Sequence, residues 1–319
     1  MSKDYPVKAP LASIALFGAG GRISRHVVDY LRYKAPHIRL RLLASSEESR
    51  AGLQKMYPDG DIMVANYLDR ASLGPALDGM EGVFVITPSG LDEQTAMDHF
   101  ADAARQAGSA RHIIRLVGYA PETTPDAMPA RLLELGGDGD QHYTAKAILQ
   151  ASGLPVTYIN LGASLMDNLL FTVGALQRSH TLIWPQRHVP LMDGRDLGEV
   201  IARVFLSDDA RHIGSFHTVN NGYDYPTTKE LAQIMSDVFM TPIGSDTSWE
   251  SFSAEYGAMI NARWGRDTEV EYRFKHFQYE HDHLLWCLNS FAETILGRRP
   301  NTFRSWLQEH RGLFLPDAG

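Results

Sequence analysis

Residues 14–31, IALFGAGGRISRHVVDYL, place three glycines between an apolar strand and a helix. Gly18 follows the strand directly, Gly20 and Gly21 come next, and Arg22 opens the helix. Glycines at such a junction permit a tight turn and let a pyrophosphate approach the backbone. The helix behind them offers N–H groups and a partial positive charge to an anion. Read as G-x-G-x-x-G, the third position is Ile23; read as G-x-x-G-x-x-G, the set is Gly18, Gly21 and Ser24. Ser24 is small enough for the helix–strand packing that a third glycine serves. The rival reading is a glycine turn without a ligand. The loop heads a series of alternating strands and helices, which favours a working dinucleotide site.

A second group is His142, Tyr143 and Lys146. Residues three and four apart share a helical face, so Lys146 can meet Tyr143 or His142, though not both in one geometry. A third group, His276, His281 and His283, has no such logic. Histidines two apart do not face one another on a helix, and no His-x-x-x-His or Cys-x-x-Cys spacing supports them, so no metal is expected. Phe274, Phe277, Tyr279 and Trp286 either line an aromatic pocket or pack the core. Cys287 reads as a buried, inert thiol inside an apolar helix.

The elements that must position these groups alternate. Apolar stretches at 13–18, 38–45, 61–66, 82–88, 111–118 and 155–162 read as strands. Helical patterns at 22–35, 49–57, 69–79, 91–108 and 143–153 lie between them. Short connections between strand and helix predict an α/β fold, a Rossmann-type doubly wound parallel sheet, whose ligands bind beyond the carboxyl ends of the strands. The second half is more helical, with helices expected at 227–239, 248–264, 280–296 and 302–314. Thr227 and Glu230 form a capping-box pattern at the first of these. The expected organisation is a loose tail at 1–10, a nucleotide-binding domain at 11–162, and a smaller, mainly helical C-terminal substrate lobe at 163–319. Segments around 186–220 are expected to return to the sheet. The Pro-, Gly- and Asp-rich stretch 119–141 stands where an active-site loop belongs.

The net charge of −8 argues against direct nucleic-acid binding. No apolar run approaches the roughly 18 residues that cross a bilayer. The N-terminus lacks the apolar core of a signal peptide. A single cysteine excludes an internal disulfide and fits a reducing cytoplasm. The expected partner is a small molecule, with a homodimer left open. The second strand ends in Ala44, Ser45 and Ser46, with Glu47 and Glu48 behind and Arg22 in reach. Small polar groups and an arginine favour NADP, whereas Glu47 keeps NAD open. The serines also suit a helix cap.

Four stretches, FGAGGRISRHVV, ASLGPALDGMEGVFVITP, HYTAKAILQASGLPVTYINLGASLMDNLL and ETILGRRPNTFRSWLQEHRGLF, span nearly the whole chain. Through them the sequence resembles the NmrA-like family of atypical short-chain dehydrogenases. The resemblance implies a Rossmann domain holding NADP or NAD, with a C-terminal lobe over it. It puts Gly18, Gly21 and Arg22 at the pyrophosphate, with Gly20 and Ile23 beside them in the cofactor site. Ser45 and Ser46 would face the adenosine 2′ position, Asn66 would neighbour adenine, and Thr87 and Pro88 would flank the nicotinamide ribose. Lys146 would contact the cofactor, with Tyr143 or His142 as acid–base. Apart from the resemblance, Tyr119 is a candidate substrate contact, and Asn168, just after the sixth strand near the expected mouth of the cleft, either orders the strand–lobe junction or touches substrate.

The chain departs from the superfamily pattern twice. The tyrosine of Tyr-x-x-x-Lys is replaced by His142, and the serine at the end of the fifth strand by Val117. Ordinary carbonyl reduction is therefore not expected. Hydride transfer to an aromatic, quinonoid or conjugated acceptor relies more on positioning than on a strong acid. A non-catalytic NADP-sensing regulator and a lyase or isomerase using His142 or Lys146 are the alternatives.

Overall fold

The computed structural model describes residues 5–118, 129–135 and 139–315. Tyr119, expected at the substrate, lies outside them. The strands are β1 (Ser13–Phe17), β2 (Arg39–Ala44), β3 (Asp61–Val64), β4 (Gly82–Val85), β5 (His112–Val117), β6 (Val156–Leu161), β7 (Ser164–Leu165), β8 (Thr181–Ile183), β9 (Leu191–Met192), β10 (Phe216–Val219) and β11 (Gly244–Asp246). The helices of the first half are α1 (Ser24–Lys34), α2 (Glu47–Met56), α3 (Arg70–Leu77), α4 (Glu93–Ala107), α5 (Ala130–Glu134) and α6 (Gly139–Ala151). Those of the second half are α7 (Val173–Ser179), α8 (Gly194–Leu206), α9 (Thr228–Phe239), α10 (Trp249–Trp264), α11 (Glu269–His283), α12 (Phe291–Leu296), α13 (Phe303–Glu309) and α14 (Arg311–Phe314).

Two compact units result. The first comprises Met1–Tyr119, Gly139–Leu161 and Gly194–Val219; the second comprises Ala120–Asp138, Gly162–Asp193 and Asn220–Gly319. The first unit holds a seven-stranded sheet in the order β10-β6-β5-β4-β1-β2-β3. All of its pairings are parallel. From β1 the chain winds outward through β2 and β3, then crosses back to β4 and winds the other way. β1 and β4 therefore flank the switch point where doubly wound sheets bind ligands. The strands read as apolar runs because both faces are covered: Ile14 through Phe17 and Val83 through Val85 are all buried. The fold class is the Rossmann-type sheet expected from the sequence.

Residues 194–219 return to this unit as α8 and β10, the latter pairing with β6 at the sheet edge. The amino-terminal stretch expected to be loose is held from Tyr5 onward. Val7 bridges Asp209, and the buried Lys8 ammonium lies 2.8 Å from both the Phe205 carbonyl oxygen and His112 Nδ1. Burial, with Arg111 behind it, pushes this lysine down to about 8.

In the second unit Phe239, Phe303, Trp306 and Phe314 form one core, and Phe252, Tyr256 and Phe274 form another. The capping box of Thr227 and Glu230 is present at α9. The helix expected over 280–296 is not continuous. α11 stops at Leu284, which takes a left-handed backbone with φ 49°, and α12 begins only at Phe291. Apolar spacing alone does not hold the intervening residues in a helix when Trp286 turns its Nε1–H back to the Glu280 carboxylate at 3.0 Å. Cys287 consequently lies exposed in this connection, not buried in a helix. No helix among the described residues is long and apolar enough to cross a membrane.

Candidate nucleotide site at the sheet switch point

Gly18 leaves β1 with φ +57°, a conformation that suits glycine. Gly21 N–H closes the turn by donating to the Gly18 carbonyl at 2.8 Å. A Cβ added at Gly21 would stand 3.0 Å from that same oxygen, and one at Gly20 would stand 3.2 Å from Leu53 Cδ2 on α2. The loop is therefore bare backbone, closely packed behind and exposed in front. Ser24 is buried and its hydroxyl donates to the Phe17 carbonyl at 3.2 Å, fastening the first turn of α1 to β1. This is the packing role of a third glycine, carried out by a small hydroxyl.

Ile23 stands at the head of α1 and supplies no side-chain cap. By contrast Ser46, Asp69 and Asp92 cap α2, α3 and α4 with their side chains. The positive end of α1 thus faces outward beside the glycines, a setting that fits a pyrophosphate. Gly18 also lies against the loop after β4: a Cβ on it would meet Ile86 Cγ2 at 3.4 Å. The two loops that border the switch point are neighbours.

Arg22, Ser45 and Ser46 are exposed. Ser46 is occupied as the cap of α2, accepting from Ser49 N–H at 3.2 Å. Glu47 pairs with Arg50 at 2.6 Å. Asn66, partly buried, accepts from Leu68 N–H at 3.0 Å through its side chain, shaping the turn after β3.

Thr87 and Pro88 belong to a dense network. Arg115 Nη2 donates to Thr87 Oγ1 at 2.8 Å and to Glu93 Oε1 at 2.6 Å. Thr87 donates in turn to Glu93 Oε2 at 2.9 Å. Gln141 Nε2 donates to Glu93 Oε2 at 2.8 Å, to the Pro88 carbonyl at 2.9 Å and to Thr87 Oγ1 at 3.3 Å. Gln141 Oε1 accepts from Gly90 N–H at 3.1 Å. The Thr87 hydroxyl spends its proton on Glu93 and accepts from two donors, so its capacity is consumed inward.

His142 and Lys146 stand one turn apart on α6, yet their side chains have different surroundings. His142 Nε2 lies 3.6 Å from where a Cβ on Gly118 would sit, at the end of β5. Its Nδ1 is buried without a hydrogen-bond partner among the described residues. Burial, assisted by the Arg115 charge, pushes this imidazole down to about 3, so it is neutral at physiological pH. Lys146 Nζ donates to Gln150 Oε1 at 3.1 Å, a turn further along, and rests 5.8 Å and 5.9 Å from the Tyr158 and Phe216 rings. Tyr143 is 40% exposed. Val117, at the missing-serine position, is buried.

Asn168 lies in the second unit, where its Nδ2 donates to Ser164 Oγ at 3.3 Å. That hydroxyl also accepts from Arg187 Nη1 at 3.0 Å, and Arg187 holds the buried Glu280 through two bonds of 2.6 Å and 3.2 Å. Phe277 stacks with Trp184 and lies under the Arg187 guanidinium, while Phe274 packs in the core. Among the described residues no group of three His, Cys, Asp or Glu side chains is placed to hold a metal.

Glu93, Arg115 and Gln141 were not singled out for the site from sequence. The available signal was Arg115 itself, a charge in the buried run HIIRLV, which demands a buried partner. Nothing local identified Glu93, 22 residues away in sequence, as that partner.

The NAD(P)H-binding family matches residues 18–178, half of the chain, and the chain belongs to it. A curated relative, (4-alkanoyl-5-oxo-2,5-dihydrofuran-3-yl)methyl phosphate reductase from Streptomyces griseus, is 24% identical over 311 residues, 95% of this chain and 100% of its own. An Escherichia coli NADPH-dependent quinone oxidoreductase complexed with NADPH shares the fold with TM-score 0.74 at 20% identity, over 93% of this chain and 99% of its own. NmrA, a negative transcriptional regulator solved with NAD, matches with TM-score 0.67 at 15% identity, over 94% of this chain and 95% of its own. The NmrA-like resemblance read from the sequence thus agrees with both family and fold.

Proposed function

We propose that the protein is an NADPH-preferring reductase that delivers a hydride to a small aromatic, quinonoid or conjugated carbonyl compound. One observation carries this reading. The glycine cradle at the switch point is complete, while the positions of the usual acid groups hold the buried Val117 and a neutral His142. A cofactor bound there supplies two electrons as hydride. Gly18, Gly20 and Gly21 with the head of α1 would hold its pyrophosphate. Arg22 and the exposed Ser45 favour a 2′-phosphate, and Glu47 shares its charge with Arg50 at 2.6 Å. His142 offers a hydrogen bond rather than a proton, so the acceptor's proton comes from water. Quinones and enones, whose reduced oxygens are stabilised by conjugation, suit such a site. The reductase names of the Streptomyces relative and the E. coli neighbour support the same class.

The replacement of both acid groups also favours a second reading, a cofactor sensor without turnover, of which NmrA is the structural parallel. Calorimetric titration with NADPH and NADH, followed by NADPH oxidation against a quinone and enone panel, decides between them. NADPH binding with acceptor-dependent oxidation supports the reductase. Binding with no oxidation by any acceptor supports the sensor. Binding of neither nucleotide sinks both.

A further inference from the structure

The Arg115–Glu93 pair is an expensive way to fill a core. Both side chains are buried, and Arg115 Nε and Nη1 find no hydrogen-bond partner among the described residues. Removing such charges from water is costly, and an apolar pair of similar volume often serves stability as well or better. What the pair gains is geometry. Its members come from the interior strand β5 and the first turn of α4, and both bond to Thr87 in the loop after β4.

Gln141, in the first turn of α6, completes the arrangement. Its amide gives one hydrogen bond to the Pro88 carbonyl and takes one from Gly90 N–H. It thus clasps the loop backbone as a neighbouring strand would. Its Nε2–H also reaches Glu93 Oε2 at 2.8 Å. The loop of residues 87–90 is therefore fixed from three elements at once. That loop adjoins Gly18 through Ile86, and Gln141 immediately precedes His142 in the chain.

We infer that Gln141, Glu93 and Arg115 are positioning residues: a latch, built on the buried Arg115–Glu93 pair, that locks the Thr87–Gly90 loop to the first turn of α6 and so orders the edge of the cofactor site beside Gly18. The inference rests on the reductase reading for its cofactor. The latch acts through the loop and touches no reacting atom. With the Thr87 hydroxyl consumed, the loop meets the cofactor through its backbone, whose position the latch sets. Ordering it in advance removes that entropic cost from binding.

The test compares wild type, Gln141→Ala and the double variant Arg115→Met/Glu93→Leu. Gln141→Ala removes the clasp without stranding a charge, and the double variant replaces the ion pair by apolar volume. Three quantities are read: the exchange rate of the Gly90 amide by NMR, the NADPH dissociation constant, and kcat against acceptor KM. In Gln141→Ala, Gly90 exchange should rise roughly tenfold, as loss of about one hydrogen bond implies. In both variants NADPH should bind roughly tenfold more weakly and kcat should fall, with acceptor KM unchanged. A purely structural role would lower thermal stability and leave these ratios alone. Wild-type exchange and affinity in Gln141→Ala overturn the latch while the reductase reading stands. Faster exchange with unchanged NADPH affinity also overturns it. A wild-type protein that binds neither nucleotide overturns the reductase reading, and the latch's role with it.

Discussion

Arg115 Nη2 stands 2.6 Å from Glu93 Oε1, with neither side chain open to solvent. Each charge is tolerable because the other is present. Removing one partner leaves an uncompensated buried ion, whose cost is roughly 3–5 kcal/mol. Arg115→Met and Glu93→Leu should each lose stability on that scale in urea unfolding. Arg115→Met/Glu93→Leu should lose less than either single change. A double variant as unstable as the sum of the singles would mean that the two charges are not coupled.

At the glycine loop, Gly21 sits with the Gly18 carbonyl 3.0 Å from the place a Cβ would take. Gly21→Ala forces backbone to give way, and Gly21→Asp adds a negative charge where pyrophosphate is expected. The alanine variant should weaken NADPH binding about tenfold, and the aspartate variant should abolish it in calorimetry. Wild-type affinity in Gly21→Asp would remove the loop from the binding site.

Gly198 on α8 supports the same helix from behind. A Cβ there would stand 2.5 Å from His26 Cβ and 3.0 Å from the His26 carbonyl carbon of α1. Backbone on both helices would have to shift. Gly198→Ala should therefore destabilise the protein by about 1–3 kcal/mol despite the better helix propensity of alanine. An unchanged or raised unfolding midpoint would show that α1 and α8 slide apart freely.

The parts of this architecture that were legible are those written in local pattern. β1 through β6 were readable because buried parallel strands are short, apolar and bounded by turns. Ser24 was readable as a stand-in for glycine because only its size mattered. The break at Leu284 was not: the apolar spacing runs on across it, while Trp286 turns back to a Glu280 carboxylate that is buried against Arg187, 93 residues away in sequence. Lys8 looked like one more charge in a polar tail, yet it is buried against Phe205 and His112, residues far along the chain. The spacing of His142 from Lys146 was readable, but its neutrality was not, since that depends on burial and on Arg115. Periodicity reports which face is apolar; it does not report which buried charge answers which.

Those buried basic groups also set how the protein responds to acid. His112 and His142 are each pushed down to about 3 and His217 to about 4, all chiefly by burial. In the unfolded chain an imidazole titrates near about 6.5. Between that pH and the folded values, the unfolded state binds more protons than the folded one. Stability is therefore full above about 6.5 and drains away as pH falls toward 3. Lys8 has the same sign at the alkaline end: with a folded value of about 8 against 10.5, stability rises as pH climbs between them. His142→Gln should flatten the loss between pH 6.5 and 4 in urea unfolding, because one of the depressed imidazoles is gone. An acid slope identical to wild type would show that His142 takes up its proton in the folded state as readily as in the unfolded one. The same neutrality predicts that kcat/KM carries no limb from His142 near pH 6.5; a limb there that disappears in His142→Gln would mean that the imidazole works as a proton donor after all.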